Sequence, residues 1–118
     1  CNSLMEVENL NSQYVVIMVT AGSREEAEKI GQSLLESKLI ACANVVGPVS
    51  STYWWDGKID HAEEHILLMK TRSELLEKVK KKVKALHSYE VPEIVAVQIV
   101  DGSKRYLEWV DSVLGKVL

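Results

Sequence analysis

The chain has 118 residues, of which 47 % are hydrophobic and 26 % are charged, and its formal net charge is −3. These proportions are typical of one small soluble domain, and the acidic balance offers no basic surface to neutralise a nucleic-acid backbone. No apolar run reaches the roughly 20 residues that span a bilayer. We therefore expect a single cytoplasmic domain that binds neither nucleic acids nor membranes.

The polar first 13 residues are predicted to be a tail that precedes a domain at residues 14–118. Met5 would serve as a native start, which would leave residues 1–4 outside the native chain. Cys42 lies in an apolar run, where a thiol packs as a small hydrophobic residue. Because the other cysteine, Cys1, lies in the polar tail, the two do not indicate a disulfide framework.

The first two predicted elements are a strand and a helix. Residues 14–19 form a continuous apolar, β-branched run, which is typical of a central strand. Ser23 and Glu26 have the spacing of a capping box. Apolar residues then recur on one face of a helix predicted over residues 24–37.

A long β-hairpin is predicted next. Residues 39–46 and 49–55 are strand-like and are interrupted at Gly47–Pro48. Asp56–Gly57 supplies the positive φ angles of a type I′ turn, so the chain folds back over residues 58–71, with about a dozen residues in each arm. Three adjacent aromatic residues, Tyr53, Trp54 and Trp55, precede the turn and indicate an interface.

The second half repeats the helix-then-strand order. A lysine-rich amphipathic helix is predicted from Ser73, and a strand over residues 92–100 begins at Pro92, which lacks an amide hydrogen. Ser103 is predicted to cap a last helix. The order βαββαβα predicts an α+β, ferredoxin-like βαββαβ sandwich with an extended hairpin and an extra C-terminal helix. Its two other helices are expected on one face of a mixed four-stranded sheet.

The segment between the lysine-rich helix and the last strand carries the main candidate site. His87, Tyr89, Glu90 and Glu93 place an imidazole, a phenol and two carboxylates within a few residues. Imidazole with carboxylate suits Cu(II). Alternatively, a histidine at a helix end bonds the last carbonyls of that helix, and Tyr89 either lines a cleft or covers hydrophobic surface.

A second candidate metal site lies on the hairpin. His61, Glu63 and His65 share one face if the segment is a regular strand. At about 3.3 Å per residue, the two histidines stand roughly 13 Å apart, which is too far for one shared ion. We therefore expect these residues to be exposed polar positions, with Glu63 and one neighbour contributing to a site between subunits as the alternative.

Several segments, in the right order, resemble the CutA divalent-cation tolerance family. The run from His87 to Ile94 resembles its His-Pro-Tyr-Glu signature followed by Pro-Glu-Ile, except that Ser88 replaces the usual proline. Further similarities lie in Leu39-Ile40-Ala41-Cys42-Ala43-Asn44-Val45, Tyr53-Trp54-Trp55-Asp56-Gly57-Lys58-Ile59, Leu67-Leu68-Met69-Lys70-Thr71 and Tyr106-Leu107-Glu108-Trp109. The resemblance covers nearly the whole chain from Tyr14 onward.

The resemblance implies a homotrimer in which strands of neighbouring subunits join, with a role in tolerance to divalent cations, copper above all. It implies His87 and Glu93 as metal ligands, with Glu90 as a third. Some family members also carry a copper-linked cysteine late in the first strand, where this chain has Val19. The intersubunit cleft or interface is expected to include Tyr53, Trp54, Trp55, Lys70 and Tyr89.

An enzyme is disfavoured because the chain has no glycine-rich phosphate loop, nucleophile elbow or metalloprotease spacing. The alternative is an effector-sensing trimer similar to the PII signalling proteins, which are ferredoxin-like and bind small molecules between subunits, or a scaffold for another protein. The tight Asp56–Gly57 turn lacks the long loop through which PII proteins report. The sequence therefore favours a non-enzymatic metal-responsive trimer.

Overall fold

The computed structural model describes residues 13–115. The predicted tail lies outside these residues, apart from Gln13, and the predicted βαββαβα order is confirmed. The elements are β1 (Tyr14–Ala21), α1 (Arg24–Glu36), β2 (Cys42–Trp55), β3 (Lys58–Arg72), a 3₁₀ turn (Ser73–Leu75), α2 (Leu76–Leu86), β4 (Ile94–Gln98) and α3 (Lys104–Val113).

The four strands form one sheet in the order β2-β3-β1-β4, and every neighbouring pair is antiparallel. This is the predicted ferredoxin-like arrangement. The expectation of a mixed sheet was wrong, because each helical crossover skips one strand. β3 separates β1 from β2, and β1 separates β3 from β4, so the parallel pairs are never neighbours.

One face of the sheet carries the hydrophobic core. Alternate residues of β1 are buried, and they pack with β3 against α1 and α2. The core includes Val15, Ile17, Val19, Ile30, Leu34, Leu67, Met69, Val79 and Val83. Each such side chain contributes about 1.5–3 kcal/mol on burial.

The predicted C-terminal helix, α3, lies on the opposite face. The Tyr14 hydroxyl donates to Asp111 Oδ2 at 2.7 Å, and Cys42 Sγ lies 3.6 Å from the Tyr106 hydroxyl. Tyr14 and Cys42 both point away from the core, because their strand neighbours Val15 and Ala41 are buried on the other side. No helix among residues 13–115 is long and apolar enough to cross a membrane.

The β2–β3 hairpin extends past the rest of the sheet. Pairing of β1 with β3 ends at Ala21 opposite His65, whereas β2 and β3 stay paired as far as Trp55 opposite Lys58. The predicted turn is confirmed by the positive φ angles of Asp56 and Gly57. Trp54 and Trp55 beside it are 73 % and 68 % exposed.

Two predicted strands are shorter in the structure. β4 covers Ile94–Gln98 rather than residues 92–100, because it is an edge strand that pairs only with the five residues 15–19 of β1. β2 begins at Cys42 rather than at residue 39. The Leu39 carbonyl accepts a hydrogen bond from the Thr71 hydroxyl at 2.7 Å, so a side-chain hydrogen bond holds this segment against β3.

Candidate functional site

A cleft of ≈ 750 Å³ opens between the hairpin and the connection that joins α2 to β4. One wall comes from β2 and β3, and the other comes from residues 89–93. Its lining comprises Thr20, Ser51, Thr52, Tyr53, Trp55, Asp60, Glu64, Tyr89, Glu90, Val91 and Glu93. Aromatic and acidic side chains predominate, and no lysine, arginine or histidine is present among these residues.

His87 ends α2 and lies behind this cleft, not in its lining. The ring is fully buried, with 0 % of its side chain exposed. Nε2 lies 2.7 Å from the Thr20 carbonyl, which can only accept, and Nδ1 lies 3.0 Å from the Tyr89 amide, which can only donate. These partners fix a neutral ring protonated on Nε2 and leave neither nitrogen free for a metal.

Glu26 of α1 holds the segment that follows His87. Its carboxylate accepts from the Ser88 amide at 2.7 Å and from the Ser88 hydroxyl at 3.1 Å. Burial by itself raises the pKa of Glu26, but the two hydrogen bonds from Ser88 lower the pKa overall. The predicted cap is also present, since Ser23 Oγ accepts from the Glu26 amide at 3.1 Å.

Tyr89 joins the two walls of the cleft. Its hydroxyl donates to Glu64 Oε2 at 3.0 Å, and its ring centre lies 4.7 Å from that of His87. Burial raises the pKa of Tyr89 to about 12, and the bond to the Glu64 carboxylate adds to the rise. Tyr89 therefore remains a neutral donor at physiological pH and lines the cleft, which was one of its two predicted roles.

Of the predicted ligands, Glu90 and Glu93 face the cleft together, and His87 does not join them. Asp60 and Glu64 add two more carboxylates from β3. Among residues 13–115, no three histidine, cysteine, aspartate or glutamate side chains are close enough to hold an ion. The described chain alone therefore contains carboxylates that suit a hydrated cation, but no preformed copper site.

The predicted interface residues fall into two places. Tyr53 and Trp55 line the cleft, whereas Trp54 lies beside it, outside the lining. Lys70 lies at the α3 end of the sheet, where its Nζ is 5.9 Å from the centre of the Tyr106 ring. Lys70 is also opposite Cys42 on the neighbouring strand.

The hairpin histidines do not form a second metal centre within the described residues. His61 Nδ1 lies 3.3 Å from the Thr52 hydroxyl. His65 is half-buried, and its Nδ1 has no hydrogen-bond partner among residues 13–115. His61 and Glu63 are exposed as expected, whereas the expectation of an exposed His65 was wrong.

The sequence reasoning did not identify Glu26, Asp60 and Glu64 as parts of the site. Asp60 and Glu64 lie on one face of β3, and His61, Glu63 and His65 lie on the other. This alternation along the strand could have grouped Asp60 with Glu64 from the sequence. Glu26 was identified only as a helix cap. Nothing local in the sequence connects it with Ser88, 62 residues later.

The fold and cleft define a ferredoxin-like α+β protein with an extended hairpin and an acidic, aromatic cleft. Residues 15–113 match the family model described as "CutA1 divalent ion tolerance protein". The chain therefore belongs to the CutA divalent-cation tolerance family.

Individual relatives agree with this assignment. The chain is 50 % identical over 95 residues to the divalent-cation tolerance protein CutA of Archaeoglobus fulgidus, covering 80 % of this chain and 92 % of that protein. It is 41 % identical over 105 residues to the chloroplastic CutA of Arabidopsis thaliana, covering 89 % of this chain but only 58 % of that protein. The solved structure of the divalent cation tolerance protein from Thermus thermophilus gives a TM-score of 0.84 at 41 % identity, over 86 % of this chain and 99 % of that one.

Proposed function

We propose that the protein is a non-enzymatic cytoplasmic homotrimer whose cleft binds a divalent cation. The observation that carries the proposal is the set of four carboxylates around a cleft with no basic side chain in its lining: Asp60, Glu64, Glu90 and Glu93. Uncompensated negative charge in a cleft attracts cations. The family name, divalent ion tolerance, supports the same class of ligand.

The donor set decides which ions suit the cleft. Carboxylate oxygens suit hard, hydrated divalent ions, which retain several of their waters. The family resemblance implies a different site, in which copper is bound by His87, Glu90 and Glu93. At that site, the His87 ring must first give up its bond to the Thr20 carbonyl or to the Tyr89 amide.

Exposed apolar surface supports self-association. Val95 and Val97 lie on β4, which is an edge strand of the sheet formed by residues 13–115, and they are 45 % and 57 % exposed. Such an edge invites pairing with another chain. The two valines therefore give a second copy of the chain an apolar surface to cover.

Sedimentation equilibrium tests the assembly. We expect three times the mass of one chain, and we expect Val97→Lys to lower that mass because a charge is buried at the β4 edge. Lys78→Glu, on the outer face of α2, is the matched control and should leave the mass unchanged. A monomer at micromolar concentration would contradict the proposed trimer.

Calorimetric titration with Cu(II) and Zn(II) against a competing chelator tests the cation site. All proteins carry His61→Ala, because an exposed imidazole holds Cu(II) without a designed site. We expect saturable binding at a fixed ratio per trimer, lost in Glu90→Gln/Glu93→Gln and retained in the control Glu63→Gln. Binding retained in His87→Ala would show that His87 is not a ligand, and unchanged binding in every variant would contradict the proposal.

A further inference from the structure

We propose that the cleft binds an organic cation, that is, an ammonium or guanidinium group attached to a small flat apolar body. This inference shares the cleft of the proposed function but requires no metal ion. The two can therefore fail separately. It rests on one buried carboxylate, on the aromatic walls around it and on the size of the cleft.

The buried carboxylate is Glu64, which is only 8 % exposed. Its Oε2 accepts from the Tyr89 hydroxyl, and no donor among residues 13–115 reaches its Oε1. None of the ion pairs among the described residues includes Glu64. Oε1 is not a fully buried atom, so it faces the open cleft, where an entering cation would pair with it.

The aromatic walls indicate which kind of cation the cleft binds. Tyr53, Trp55 and Tyr89 line the cleft and are 39 %, 68 % and 38 % exposed. Aromatic faces attract ammonium and guanidinium groups through the ring quadrupole and also bury apolar surface. A bare divalent ion gains nothing from this apolar surface, whereas an organic cation uses both the aromatic faces and the carboxylates.

The size of the cleft fits a small molecule. Ligand pockets usually measure about 300–1,000 Å³, and this one measures ≈ 750 Å³. Asp60, Glu90 and Glu93 add further negative charge to its lining, which disfavours anionic ligands. Tyr89 anchors the central carboxylate from the opposite wall, so both walls contribute to the same site.

The test uses the assembled protein in buffer containing EDTA, with phenethylammonium as the cation and 2-phenylethanol as its neutral counterpart. Binding is followed by calorimetry. We expect one phenethylammonium per chain, with affinity at least tenfold higher than for the alcohol. Glu64→Gln should lower the affinity at least tenfold, whereas Glu63→Gln, one residue away and outside the cleft, should leave it unchanged.

A second pair of variants covers the case in which Glu64→Gln does not fold. Trp55→Leu should weaken binding severalfold, whereas Trp54→Leu, its neighbour outside the lining, should not. Equal affinity for the alcohol, or equal weakening by both tryptophan variants, would overturn the inference. Absence of binding would overturn it too, and would indicate that a basic side chain of a neighbouring subunit fills the cleft. Because EDTA removes divalent ions, binding here is independent of the metal titration.

Discussion

Two tyrosine–carboxylate pairs stand at opposite ends of the sheet, and only one of them is neutralised. At the α3 end, Tyr14 donates to Asp111, and the Arg72 guanidinium pairs with the same carboxylate. At the cleft end, Tyr89 donates to Glu64, and no cation is paired with Glu64 within the described residues. The same hydrogen bond therefore occurs in two different electrostatic settings.

The α3 end shows what a structural pair looks like in this protein. The hydrogen bond to Asp111 raises the pKa of Tyr14, and the bond from Tyr14, followed by Arg72, lowers the pKa of Asp111. Arg72 also bonds Glu74, so one cation is shared by two carboxylates, and β1, β3, the 3₁₀ turn and α3 are tied together. By comparison, the cleft pair lacks its cationic third member, which is the property expected of a site that awaits a ligand.

Replacing His87, which is buried behind the cleft, should have the largest effect on the free energy of unfolding. His87→Ala deletes a fully buried ring, leaves the Thr20 carbonyl and the Tyr89 amide without their partner, and is expected to cost about 3 kcal/mol of unfolding free energy. Urea denaturation at fixed protein concentration measures it. His61→Ala on the exposed hairpin is the control and should cost less than about 0.5 kcal/mol. Similar losses for the two variants would mean that His87 does not organise this end.

Replacing Ser88 should have a smaller effect. The residue before Ser88 already suits a proline at position 88, because His87 has φ −78° and ψ 142°, the extended conformation that precedes proline. It removes both donors to Glu26, and we expect a loss of about 1 kcal/mol, with a smaller loss for Ser88→Ala, which keeps the amide donor. Urea denaturation of the two variants and the wild type measures these losses.

The acid response gives a second measurement for Ser88. A lowered folded pKa of Glu26 contributes stability that is present above the unfolded pKa and is lost as pH falls through the folded one. The acid-induced loss should therefore shrink in Ser88→Pro. An unchanged acid profile would show that the Ser88 bonds are not what lowers the pKa of Glu26.

Neutralising one carboxylate at each end compares the two pairs directly. Asp111→Asn breaks an exposed ion pair with Arg72 and should cost about 0.2–1 kcal/mol. Glu64→Gln keeps an amide oxygen for the Tyr89 hydroxyl and breaks no ion pair within residues 13–115, so stability should change by less than about 0.5 kcal/mol. Thermal and urea unfolding of both variants would measure the two changes in stability. A larger loss for Glu64→Gln would indicate a cationic partner supplied by a neighbouring subunit.

The element order and the hairpin were predictable because their signals are local. A capping serine, an Asp-Gly turn and apolar periodicity each act within a few residues, and Ser23, Asp56 and Gly57 behave as their types predict. The antiparallel sheet was missed because strand neighbours depend on which strand inserts between two others. That choice is made by the packing of the whole fold.

The site was predictable only in part for the same reason. Tyr89, Glu90 and Glu93 were found because they lie in one short segment. The state of His87 depends on the Thr20 carbonyl, 67 residues away, and the position of Glu64 depends on Tyr89 crossing from another element. The sequence could name the chemical groups. The hydrogen-bond partners of the His87 nitrogens and the absence of a cation beside Glu64 among the described residues required the structure.

The raised pKa of Tyr89 makes the stability of the protein depend on pH only in alkaline solution. The unfolded state releases the phenol proton near pH 10, whereas the folded state holds the Tyr89 proton until its pKa of about 12. Between these values the unfolded state binds fewer protons, so stability falls as pH rises. Tyr89→Phe should flatten this decline, and a phenolate absorbance titration should lose one of its two most alkaline components, because burial also raises the pKa of Tyr106 to about 12. Tyr14→Phe is the matched variant, since the pKa of Tyr14 is also raised, through Asp111. If Tyr89 ionised near pH 10, its hydroxyl would not be facing a charged Glu64, and the contrast between the two pairs would disappear.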